Sequence, residues 1–223
     1  MEGGSAVTDD RLRINGRIVR GGLNLTADLD LPQGVIAVVG PNGVGKTSLL
    51  RAIAGLDPLA EGEIVLGGSV LDRRADRRFV APELRDVSLA FQEPRLFPHR
   101  SVLGNITYPL ERRRIPRAQA AEIARDIAAR FGLEGLSQRS PRYLSGGQAQ
   151  RVSLARALAP KANTLLLDEP LASVDEESKE LLRYRFLDSG SQRVLWVTHD
   201  PADAERADLI VSIKDGHVGQ TAP

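Results

Sequence analysis

The 223-residue chain contains no cysteine, which excludes disulfide scaffolding and thiolate chemistry and fits a reducing compartment. Aromatic residues make up only 4%. None precedes Phe79, so the first third offers no ring on which a planar ligand could stack. No apolar stretch approaches the roughly 20 residues that a membrane-spanning helix needs. Charge is balanced at a formal +1, and no global field favours nucleic acid or lipid. The basic clusters Arg73-Arg74, Arg77-Arg78 and Arg112-Arg113-Arg114 lack interleaved aromatics for stacking bases and read as solvated faces. The amino terminus is acidic and glycine-bearing, unlike a signal peptide, and residues 1–10 read as a disordered lead-in. The length suits one domain of ordinary core size, with room for a small helical subdomain.

What is present begins with Gly40-Pro41-Asn42-Gly43-Val44-Gly45-Lys46-Thr47, a GxxxxGK[ST] phosphate loop. With glycine at roughly 7% of residues, this pattern arises by chance in about one chain in a hundred of this length. Its setting argues against chance. Val35 to Val39 is the β-branched, apolar run of a buried parallel strand, and Lys46 to Gly55 reads as a helix with Leu49, Leu50 and Ile53 on one face. Glycines at 40, 43 and 45 let the backbone curl so that N–H groups converge on an anion, assisted by the helix dipole. Lys46 is placed to reach β- and γ-phosphates, and the Thr47 hydroxyl to ligate Mg²⁺.

Thr164-Leu165-Leu166-Leu167-Asp168-Glu169-Pro170 is a second buried-strand pattern, ending in two acids. Carboxylates at the carboxyl end of a parallel strand lie at the crevice where α/β sheets hold ligands. Taken alone, the pair could be an acidic cap for a helix starting near Asp175. Behind a phosphate loop, Asp168 is expected to hold Mg²⁺ through water and Glu169 to act as general base towards an attacking water.

Gln92 follows the strand pattern Val87 to Phe91, and His199 follows Arg193 to Thr198. Leu144-Ser145-Gly146-Gly147-Gln148 precedes a helical pattern from Ala149 to Ala159, and by itself could be a serine N-cap with flexible glycines. The other two histidines, His99 and His217, read as ordinary polar residues. As an ordered set running from about Leu12 to Gly219, these motifs resemble the nucleotide-binding subunit of an ATP-binding-cassette (ABC) transporter. The resemblance implies ATP and Mg²⁺ as ligands. Nucleotide contacts are carried onto Gly40, Pro41, Asn42, Gly43, Val44, Gly45, Lys46, Thr47 and Ser48, and onto Ser145, Gly146, Gly147, Gln148 and Asp175. Metal contacts fall on Thr47, Gln92 and Asp168, with Glu169, His199 and Gln92 as catalytic residues. Leu171 to Asp175 resembles the loop that runs across a dimer interface. Because the serine–glycine segment caps the γ-phosphate of the other subunit, two half-sites on one chain imply a head-to-tail homodimer.

The implied fold is α/β: a phosphate-loop ATPase core with a mostly parallel sheet, an antiparallel β subdomain and a helical subdomain at about 93–160, within a single 1–223 nucleotide-binding domain. Alternation at Leu23, Leu25, Ala27, Leu29 and Leu31 suits an antiparallel strand beside the nucleotide, and an α/β core is expected from Val35 to Gln92. The amphipathic stretch Arg117 to Phe131 falls in the helical part. Arg17, Ile18 and Arg20 are the residues available to cover an adenine ring in place of an aromatic. The segment from Phe91 to Val102 resembles bacterial importer ATPases, nearest to the molybdate type. That type carries a C-terminal β-rich regulatory domain, and no such domain is expected within these residues. The resemblance therefore implies energised import of molybdate or another small oxyanion. It places the chain at the cytoplasmic face of the membrane, with separate permease subunits docking around Gln92 to Asn105, an indirect solute-binding protein and no nucleic acid. Soluble chromosome and repair ATPases need a long coiled coil between the half-sites, and residues 56–143 show no sustained heptads. An iron–sulfur-assembly scaffold ATPase is the remaining alternative.

Overall fold

The computed structural model describes residues 10–172, 174, 179–180, 182–183 and 192–221. Strands β1 (Leu12–Arg20) and β2 (Leu23–Leu31) form a hairpin about Gly21-Gly22. They are followed by β3 (Gly34–Val39), β4 (Glu61–Leu66), β5 (Ser69–Arg73), β6 (Arg78–Phe79) and β7 (Val87–Ala90). Later come β8 (Thr164–Asp168), β9 (Arg193–Val197), β10 (Leu209–Lys214) and β11 (His217–Thr221). Among the described residues these strands join one 11-stranded sheet in the order β6-β5-β4-β1-β2-β11-β10-β3-β9-β8-β7. The five strands from β10 to β7 are mutually parallel. The rest pair antiparallel, apart from the short parallel link between β11 and β2.

Both faces of the parallel half are buried, which is why its strands read as continuous apolar runs. Side chains alternate between two cores. On one face Ile36, Val38, Leu166, Leu195 and Val197 pack with Leu49, Leu50 and Ile53 of helix α1 (Lys46–Ile53). On the other, Leu165, Leu167, Val194 and Trp196 pack against the helices α2 (Val102–Arg112), α3 (Arg117–Arg130) and α4 (Gly146–Leu158).

The expected α/β core between Val35 and Gln92 is realised only in part. Glu61–Phe79 forms the antiparallel strands β4 to β6, which fold back on β1 with Ile14 opposite Ile64. The cause is a one-sided apolar pattern: Ile64, Leu66 and Leu71 are buried while Glu61, Gly62 and Ser69 face solvent, as an antiparallel ladder requires. The basic clusters do lie on the surface, with Arg73 paired to Glu63 at 2.7 Å and Arg113 to Asp86 at 2.9 Å.

Candidate functional site

Four neighbouring parallel strands deliver the site to one edge of the sheet. Register sets Val38 of β3 beside Val197 of β9, and Val197 beside Asp168 of β8. Ala90 of β7 pairs with Leu167, so Gln92 stands level with Glu169. Each strand thus releases its functional residue at the same height: the glycine loop after Val39, His199 after Val197, Glu169 after Asp168 and Gln92 after Ala90. This is the crevice at the carboxyl ends of strands where α/β proteins bind ligands.

The loop from Gly40 to Thr47 bends as its glycines allow. Gly40 has φ 150° and Gly45 φ 113°. A Cβ at Gly40 would lie 2.8 Å from the Ile213 carbonyl, and one at Gly45 would meet Leu25 and Leu23 at 2.7 and 2.8 Å. The β1–β2 hairpin therefore leans directly on the loop, as its alternation suggested. Lys46, 6% exposed, donates its ammonium to the carbonyls of Gly40 at 2.8 Å and Pro41 at 3.0 Å. Burial pulls its pKa below the ordinary lysine value, opposed by the charges of Glu169 and Asp168.

Thr47 and Asp168 meet across 121 residues of sequence, the Thr47 hydroxyl donating to Asp168 Oδ2 at 2.8 Å. Asp168 is 5% exposed. Burial holds its carboxyl above the usual range; the Thr47 hydrogen bond opposes this, Glu169 reinforces it and Lys46 opposes it. A hydroxyl and a buried carboxylate are hard oxygen donors of the kind that Mg²⁺ takes alongside phosphate oxygens. A divalent cation there would reverse the penalty on the charged carboxylate. Among the described residues no cluster of three His, Cys, Asp or Glu could hold a metal alone.

Glu169 has φ 47°, a region that non-glycine residues seldom occupy, and this bend turns its carboxylate across the strand ends. Gln92 Nε2 donates to Oε2 at 3.0 Å, and His199 Nε2 lies 2.8 Å from Oε1. An ionised carboxylate only accepts, so His199 presents its Nε2–H. The structure thus brings together Gln92, Glu169 and His199, and separately Lys46, Thr47 and Asp168. No hydrogen bond joins Gln92 to Thr47 or Asp168.

Ser145, Gly146, Gly147 and Gln148 stand apart from both groups. Ser145 Oγ accepts from the Gln148 backbone N–H at 3.2 Å, and the Gln148 side chain accepts from the Ser145 N–H at 3.1 Å. This reciprocal capping box fixes the start of α4, where Ser145 and Gly146 are exposed. Ser173 and Asp175, in the segment from Leu171 to Asp175, lie outside the described residues, as does the expected helix start near Asp175. Of the residues considered for covering a base, Ile18 is excluded: it is 1% exposed and belongs to the core. Strand alternation turns Val19 outward instead, at 44% exposure. Arg17 is engaged by Glu61, and Arg20 lies 3.4 Å from Asp57.

Sequence reasoning missed several polar residues, wholly or partly buried, that frame the site. Gln150 of α4, 1% exposed, donates to the Pro170 carbonyl at 2.9 Å. It ties the serine–glycine helix to the turn after Glu169. Hydropathy reads a glutamine in a helix as surface, and no local signal marks its burial. Gln150→Ala is expected to lower stability by about 1–3 kcal/mol, since a buried carbonyl loses its donor; urea unfolding measures it. Arg156 donates to the carbonyls of Pro94 and Arg95, both at 2.9 Å. Asn105, 0% exposed, accepts from Phe97 N and donates to the carbonyls of Phe97, Arg100 and Ser101. The loop after Gln92 is thereby held from two helices.

Comparison with known proteins agrees with this geometry. The family model described as "ABC transporter" matches residues 25–172. Over 98% of its length the chain is 43% identical to the molybdenum import ATP-binding protein ModC of Thiobacillus denitrificans, and covers 61% of that protein. It is 42% identical over 87% of its length to the Fe(3+) ions import ATP-binding protein FbpC of Streptomyces avermitilis, covering 56% of it. The chain thus spans roughly three-fifths of the length of these curated relatives. Among solved structures it resembles the ATP-binding cassette MJ0796 in a dimeric, post-hydrolysis state bound to ADP and Pi. The TM-score is 0.76 at 26% identity, covering 95% of this chain and 97% of that one. The chain belongs to the ABC transporter family.

Proposed function

We propose that this chain binds MgATP and hydrolyses it to energise solute import through separate membrane subunits. The observation that carries the reading is the Glu169 carboxylate held between Gln92 and His199 at the sheet edge that also presents the glycine loop. The loop amides and Lys46 receive the phosphates, with Thr47 and Asp168 holding Mg²⁺ and the Gln92 amide oxygen adding to its shell. Glu169, oriented by two donors, accepts the proton of the attacking water, and His199 contacts the γ-phosphate. Ser145 to Gln148 and Asp175 serve the partner's nucleotide in a head-to-tail homodimer. The firmly anchored loop from Gln92 to Asn105 supports docking of a permease at the cytoplasmic face. Among the described residues no helix is long and apolar enough to cross a membrane, which agrees with a separate spanning subunit. A solute-binding protein completes such an importer.

Molybdate or a related oxyanion is the cargo we favour, supported by the names of two relatives, from Thiobacillus denitrificans and Pseudomonas aeruginosa. Relatives named for Fe(3+) and sulfate/thiosulfate import make transport assays with molybdate, Fe(3+), sulfate and thiosulfate the test. Uptake of Fe(3+) alone would overturn the oxyanion reading. The scaffold-ATPase alternative is disfavoured because these relatives are named as import proteins.

With no aromatic before Phe79 and Ile18 in the core, affinity rests on phosphates and Mg²⁺, which all nucleoside triphosphates share. GTP is expected to be hydrolysed within about tenfold of ATP, a difference under roughly 1.4 kcal/mol. Competition between the two nucleotides checks it, and a hundredfold preference for ATP would mean that another part of the chain grips adenine.

A further inference from the structure

We propose that Arg183 is a positioning residue for His199; the inference rests on the catalytic reading of His199 and Glu169. The imidazole is 43% exposed, and its one hydrogen bond to a described residue is to Glu169. Its aim must come from the backbone on either side, and that backbone is tied down by buried polar groups. Thr198, 6% exposed, donates its hydroxyl to Asp203 Oδ2 at 2.7 Å and accepts from the Asp200 N–H at 3.0 Å. Asp203 is also 6% exposed, and its Oδ1 receives Arg183 Nε at 2.7 Å. The same guanidinium reaches Asp200 Oδ2 at 2.5 Å and Glu180 Oε1 at 2.6 Å. One planar cation therefore clamps both neighbours of His199, directly at Asp200 and through Asp203 at Thr198.

Geometry favours arginine for this task. Its fork donates to several carboxylates in fixed directions, which a lysine ammonium does not reproduce. Arg183 is 4% exposed and lines an open cleft with Glu169, Trp196, His199 and Asp203. Its bonds to Asp200 and Asp203 act on the backbone either side of His199, so its effect passes through His199. Neither hydropathy nor any short motif marks it.

The test uses the full chain and two variants. Arg183→Lys keeps the charge and loses the fork. Arg183→Met combined with Asp203→Leu replaces a buried ion pair by apolar groups, an exchange that tends to preserve stability. Both are expected to lower kcat by about tenfold to a hundredfold, the scale of a misplaced catalytic group, while KM for MgATP holds. Melting temperature identifies a variant that fails by unfolding, and the double variant then carries the test. In a His199→Ala background neither change should lower residual turnover further. A kcat unaffected by the folded variants, or an equal loss with and without His199, overturns the proposal. If His199→Ala itself leaves kcat unchanged, the reading of the site has failed instead.

Discussion

Glu169→Gln is expected to bind MgATP as the parent does and to turn it over a few hundredfold more slowly or worse, because general-base catalysis contributes about 10²–10⁴. The substitution is nearly isosteric. Gln92 donates to one carboxylate oxygen and His199 approaches the other. An amide retains one accepting oxygen and turns the other position into a donor. The residue keeps its place at φ 47° but has no basic lone pair to take a proton from water. Loop, lysine and the Thr47–Asp168 pair are untouched, so nucleotide affinity should stay and the ATP-bound dimer should accumulate on a sizing column. Single-turnover hydrolysis measures the loss. Near-parental turnover would remove Glu169 from the base role and leave water activation to the phosphate itself.

The second large effect depends on assembly. Ser145→Arg puts a bulky cation at the exposed start of α4, where the partner's γ-phosphate is proposed to sit, and Lys46→Ala removes the ammonium proposed to bind phosphate. Each chain alone should be inactive. Mixed in equal amounts, half of randomly formed dimers pair one of each, and each such dimer has one composite site built from two intact halves. Activity should recover to at most about a quarter of the parent's, as expected for a symmetric two-site dimer. Absence of recovery where mixed dimers are shown to form would sink the head-to-tail arrangement. Recovery exceeding that of the parent would mean that the two sites restrain one another.

How much of this was legible in sequence follows from how local each signal is. The β3–loop–α1 unit was plain because glycine spacing, a β-branched run and helical periodicity all fall within about twenty residues of one another. Strands β8 and β9 were equally plain, since burial on both faces leaves an unbroken apolar run. Strands β4 to β6 were absorbed into the α/β core because they are short, charged on one face, and joined to the sheet only where β4 pairs with β1 far upstream. Ile18 was misjudged for a related reason: only the register with β2, where it faces Leu25, shows which side of the hairpin it takes. Gln150, Arg183 and Asp203 left no trace, because a buried polar residue is intelligible only through partners that the fold supplies.

Strand β3 also fixes an order of assembly. Its two neighbours in the sheet are β9 and β10, both encoded more than a hundred residues after it, and the hairpin that leans on the loop is linked onward through β11. A nascent chain that stops short of Arg193 carries the glycine loop on a strand with neither partner. Such long-range closure is entropically slow and leaves two apolar faces and two bare edges exposed while synthesis proceeds. The glycine loop is written early in the message and finished late on the ribosome.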